Sequence, residues 1–158
     1  MMRFSLLILI LTFTSFGGEK SWPGVKFTEV KAFHWPVKMD TESLIDKNFK
    51  LLPGVVNKAG VKLNKTQILS LRKSVIGKHP EHDQALCYIP HNAFIFYNGN
   101  KPVAFIEVCF DCLGYRAFPK SKAENFDILS IAKICKQLKI PFGKYKSIQH
   151  LEKLLKRK

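Results

Sequence analysis

The spacing of apolar positions changes several times along the chain, and each change marks an element. Residues 4–16 form an almost unbroken apolar run, Leu6 to Leu11 at its centre. Phe27 to Trp35 alternates weakly and predicts a first strand, stopped by Pro36. Between Asp40 and Leu52, the segment Thr41-Glu42-Ser43-Leu44-Ile45 predicts a short helix, closed by Pro53-Gly54. Asn64 followed by Gln67 forms a capping box, and Ile68, Leu71 and Val75 then recur at helical spacing until Gly77. Ala93–Tyr97 and Val103–Phe110 are short runs rich in aromatic and β-branched residues, which predict two strands. Leu113–Pro119 reads as a turn and a short extended piece. Ser121, with Glu124 three residues on, opens a helix whose apolar face is Ile128, Ile131, Ala132, Cys135 and Leu138, ended by Pro141. Ser147 opens a last helix with Ile148, Leu151, Leu154 and Leu155 on one face. Its basic end, Lys156-Arg157-Lys158, suits the helix dipole. The predicted fold is α+β: a small antiparallel sheet centred on the 93–110 hairpin, packed by helices near 65–76, 122–139 and 147–156.

The hairpin carries the most specific expectation. Asn98-Gly99-Asn100-Lys101 supplies residues that accept positive φ in a tight turn. With Gly99-Asn100 as the loop, Asn98 faces Lys101, Ile95 faces Ala104, His91 faces Val108 and Cys87 faces Cys112. Cross-strand Cβ atoms lie about 4.5–5.5 Å apart, close to what a disulfide or a shared metal needs. Pro90 cannot donate to a ladder, so the strand is either an edge or bulged there, and a bulge would shift the register and bring Cys109 opposite Cys87 instead.

The N-terminal run changes where this domain is expected to work. Arg3 supplies a positive start, and Ser15 and Gly17 place small residues at a cleavage site. Residues 1–17 therefore read as a secretory signal peptide, with 18–158 as a single domain. The run is shorter than the roughly 20 apolar residues of a membrane span, so a retained anchor is the lesser alternative and the mature chain has no transmembrane span. No cysteine follows the run, which argues against a lipoprotein. The expected location is periplasmic or extracellular, where disulfides persist.

Composition adds a charge argument. The formal net charge is +14, and Arg3 is the one charged residue in 1–17, so the mature charge is +13. Such a balance favours weak contact with polyanions or anionic surfaces. The lysines are spread along the chain rather than gathered, so a solvated basic surface accounts for them. No serine-nucleophile motif, phosphate loop, paired carboxylates or nucleic-acid module is present, and no known ligand or partner follows from the residues.

Three of the four cysteines lie at the open end of the hairpin, and three chemistries fit them. The first is structural: a disulfide there, with Cys135 available for a second. The second is metal: Cys87, His91, Cys109 and Cys112 form a Cys₃His set suited to tetrahedral zinc, with His79 and His82 as alternative donors. The third is redox work by the pair Cys109 and Cys112, since CxxC spacing lowers a thiol pKa. Against it, thioredoxin-like domains place CxxC at the start of a helix in a βαβ unit, whereas a hairpin precedes it here. His34 reads as a strand residue and His150 as an exposed helix residue. Glu107, inside an apolar strand, either faces solvent or pairs with His91 or Lys101.

The segment C-Y-x-P-H-N-A-x-x-F-Y, a short Asn/Gly turn and V-A-x-I-E-V-C-F-D-C resembles a group of uncharacterised exported bacterial proteins. In these a Cys-x-x-Pro segment precedes a strand pair ending in Cys-Phe-x-Cys. The resemblance covers about residues 63–115 and brings no activity or cofactor. It implies that Cys87, Pro90, Cys109 and Cys112 form one unit. The function expected from all of this is an exported, non-enzymatic binding domain with a structural cysteine cluster. A periplasmic zinc-type protein is the second reading, and a thiol–disulfide oxidoreductase the third.

Overall fold

The computed structural model describes residues 22–38, 41–121, 123 and 125–156. The expected signal peptide lies outside them. The expectation of an α+β fold holds. Five strands, β1 (Glu29–His34), β2 (Val61–Lys62), β3 (Asn92–Asn98), β4 (Lys101–Cys109) and β5 (Gly114–Phe118), form one antiparallel sheet in the order β2-β1-β3-β4-β5. Three helices, α1 (Lys65–Ser74), α2 (Ile128–Gln137) and α3 (Ile148–Leu155), accompany it.

The sheet is buried on both faces at its centre, which is why β3 reads as a continuous apolar run rather than an alternation. Phe94, Phe96, Ile106, Val108 and Phe110 join Leu71 of α1, Ile131 and Cys135 of α2, and Leu151 of α3 in the main core. The opposite face carries Phe33, Ile95 and Phe105, covered by Trp35, Leu44 and Ile45 of the long β1–β2 connection. Each large side chain buried in this way contributes about 1.5–3 kcal/mol.

That connection is where a short helix was expected, and no helix forms there. Asp46 Oδ1 accepts the N–H groups of Asn48 and Lys50, both at 2.8 Å. Ile45 bridges to Leu51, and Phe49 takes a positive φ of 63°. Side-chain capture of local N–H groups competes directly with the helical ladder. The start of α2 also differs from the Ser121 expectation. Its N-cap is Asp127, which accepts the Ser130 N–H at 2.9 Å, while the Ser121 hydroxyl donates to the Val75 carbonyl at the end of α1. Glu124 lies outside the described residues. The Asn64–Gln67 capping box and the Ser147 cap are both present.

The hairpin turns at Gly99-Asn100, with Gly99 at φ 60°, and Asn98 faces Lys101. Beyond it the expected register fails by one residue. A bulge between Phe96 and Tyr97 pairs Phe96 with Ala104, Ile95 with Phe105 and Asn92 with Val108. Pro102, opposite Tyr97, has no N–H to give the ladder, and the irregularity sits beside it rather than at Pro90.

Candidate functional site

The shifted register decides which groups meet at the open end of the hairpin. Cys87 does not face Cys112. Ala85 donates its N–H to the Cys112 carbonyl at 3.0 Å, and His91 donates its N–H to Val108 at 3.3 Å. Cys109 and Cys112 are joined to each other, with Cα atoms 5.4 Å apart. The expected Cys87–Cys112 and Cys87–Cys109 disulfides are therefore replaced by one within the CxxC turn. Cys87 is a free, exposed thiol, and Cys135 is free and buried among the core side chains of α2. Burial pushes the Cys135 thiol well up from its ordinary value, which keeps it protonated and inert.

The CxxC turn is fixed from three sides. The Cys112 N–H points at Cys109 Sγ, 3.2 Å away. Asp111 Oδ1 accepts the Lys144 N–H at 3.1 Å, tying the turn to the α2–α3 connection. Gly143 makes that approach possible: it sits at φ 64°, and a Cβ there would lie 2.8 Å from Asp111 Oδ1. The Tyr88 ring lies against Gly114, where a Cβ would meet it at 3.2 Å, and its hydroxyl donates to the Glu107 carbonyl at 3.2 Å.

These contacts leave a half-open pocket of about 330 Å³. All four residues of the proposed metal set, Cys87, His91, Cys109 and Cys112, line it. Val37 and Ile89 add apolar wall, and Lys38 and Lys144 are exposed cations at its edge. His91 is buried, with Nε2 3.2 Å from the Val37 carbonyl. A carbonyl only accepts, so neutral His91 carries its proton on Nε2, and Nδ1 is left as a buried nitrogen without a partner. With the two CxxC sulfurs bonded together, Cys87 and His91 are the remaining metal donors of the set. Among the described residues, no group of three or more His, Cys, Asp or Glu side chains is arranged to hold a metal ion.

The other histidines are committed elsewhere. His79 Nε2 meets the Ile76 and Lys73 carbonyls at 2.9 and 3.1 Å, capping the C-terminal end of α1. His82 Nε2 reaches the Leu113 carbonyl at 3.1 Å, and its ring packs on Phe126. Neither lines the pocket as an alternative donor. His34 ends β1, as expected, and burial lowers its pKa from the ordinary value.

Glu107 is a correction of a different kind. It neither faces solvent nor meets His91 or Lys101. Its carboxylate is fully buried and pairs with Arg116, its cross-strand neighbour on β5, at 2.6 Å. The Leu44 N–H donates to it at 2.8 Å, and the Ser43 hydroxyl lies 3.3 Å away. Burial raises its pKa, opposed by the Leu44 N–H and the Arg116 charge. This cluster pins the β1–β2 connection to the sheet. A larger cleft, about 600 Å³, lies between α1 and α2, but its Gln67 is spent on the capping box and on Gln137. The hairpin mouth remains the place where reactive groups converge.

An α+β domain with a disulfide-walled pocket is thus the class that fold and site define. Comparison with known protein families, with curated proteins and with solved structures gave no match.

Proposed function

We propose that this protein is an exported, non-enzymatic binding domain whose ligand site is the pocket at the hairpin mouth. One observation supports the reading above others: four segments distant in sequence, at residues 37–38, 87–91, 109–112 and 144, converge on one half-open pocket. The Cys109–Cys112 disulfide stiffens one wall, which lowers the ordering cost of binding. The wall chemistry selects the ligand class. Val37 and Ile89 offer apolar surface and Lys38 and Lys144 offer positive charge, while the Asp111 carboxylate already accepts a backbone N–H. A compact anion with a short apolar tail fits that combination.

The test is an amide-resolved titration with hexanoate. The expected result is shifts gathered at 37–38, 87–91, 109–112 and 144, lost in a Lys38→Ala/Lys144→Ala double variant. Shifts scattered over the surface lysines, or none, would contradict the reading. Export is tested separately by N-terminal sequencing from the native host, which should begin at or near Gly18; an intact Met1 on soluble protein would sink that part.

The second reading, a zinc-type protein, is favoured by the four candidate ligands sharing one pocket. Reduction of the CxxC pair would free a Cys₃His set there. Elemental analysis of protein prepared with and without reductant separates the two readings: zinc at one equivalent in the reduced sample alone supports the second.

A further inference from the structure

We propose that the hairpin mouth is a thiol–disulfide exchange site, with Cys87 as nucleophile, Cys112 Sγ as the attacked sulfur and Cys109 as the leaving thiolate. The inference goes beyond ligand binding. It rests on a free exposed thiol and a disulfide that line the same pocket. His91, whose Nδ1 is buried and unpartnered, is a third residue lining that pocket.

Direction follows from three details. The Ala85 N–H bond to the Cys112 carbonyl ties the segment bearing Cys87 to Cys112, two residues away. Cys109 is the more deeply buried residue, 1% exposed against 4% for Cys112. The Cys112 N–H already points at Cys109 Sγ, where it would stabilise a negative charge. A leaving thiolate held in this way departs faster.

The step balances without an outside reagent. The Cys87 thiol gives up its proton, and its sulfur lone pair forms a bond to Cys112 Sγ. The Cys109–Cys112 bond breaks, and its electron pair stays on Cys109, which takes up a proton. The product is a Cys87–Cys112 disulfide and a Cys109 thiol, with no net oxidation.

The experiment compares Cys109→Ser with Cys112→Ser, each treated with oxidised glutathione, acid-quenched and mapped by mass spectrometry. Cys109→Ser should form the Cys87–Cys112 linkage at least about tenfold faster than Cys112→Ser forms Cys87–Cys109. Equal rates, or no Cys87 linkage in either, overturn the proposal. Wild-type protein gives an arm that needs no variant to fold. Held at pH 8.5, quenched and mapped, it should contain the Cys87–Cys112 form beside the Cys109–Cys112 form. Finding Cys109–Cys112 alone overturns it as well. Hexanoate binding can fail while this exchange succeeds, so the two readings are judged independently.

Discussion

Glu107 shows how one residue can hold two parts of the molecule. A carboxylate with no solvent exposure needs compensation: Leu44 N–H and the Ser43 hydroxyl reach Oε1, and the Arg116 guanidinium lies 2.6 Å from Oε2 as its ion-pair partner. Arg116 itself keeps 45% of its side chain in solvent, so the pair is not a sealed one. Arg116→Met should therefore destabilise the fold by about 2 kcal/mol at neutral pH, toward the low end for removing one partner of a buried pair. The pH dependence has a definite sign. Glu107 already has a raised folded pKa, so it favours folding less once pH exceeds its unfolded value. Removing the arginine raises that pKa further, and the carboxyl then stays neutral to higher pH. The deficit of the variant should accordingly be largest above both raised folded pKa values and shrink as pH falls through them. Urea denaturation of both proteins at several pH values checks this; a deficit independent of pH would remove Glu107 ionisation from the explanation.

At the scale of elements, the legible parts were those with a complete local signal. Asn64 and Gln67 satisfy each other reciprocally, so the start of α1 could be read from four residues. Asn64→Ala should cost about 1 kcal/mol in chemical denaturation, and a loss near zero would mean the cap is idle. The strands of the hairpin and its Gly99-Asn100 turn were equally legible. The rest was hidden for stated reasons. β2 is two residues long and too short to show a period. Ser121-x-x-Glu124 mimics a capping box, yet the Ser121 hydroxyl serves α1 instead. β5 looked like an extended piece because its partnership with β4 depends on tertiary placement, and with it the Glu107–Arg116 pair was missed. The register error came from running one register from the turn to Cys87, with a bulge weighed only at Pro90, whereas the irregularity lies between Phe96 and Tyr97, beside Pro102. For the site, Cys87, His91, Cys109 and Cys112 all line one pocket. Their bonding was not legible, because one residue of register decides which sulfurs meet.

For the whole molecule, the sheet is the scaffold and its two coverings differ in kind. Helices cover one face, while the irregular β1–β2 connection covers the other and delivers Val37 and Lys38 to the pocket. The reactive groups sit where that connection, the segment before β3, the CxxC turn and the α2–α3 connection converge. The account therefore depends on one arrangement of four sulfurs: Cys109 bonded to Cys112, Cys87 free at the surface and Cys135 free in the core. Differential alkylation with disulfide mapping tests it most directly. Native protein held near neutral pH should take the alkylating agent at Cys87, take it at Cys135 only after unfolding, and yield Cys109 and Cys112 predominantly as one linked peptide. Cys87 found predominantly in a disulfide, or Cys109 and Cys112 both alkylated in the native protein without reductant, would contradict it.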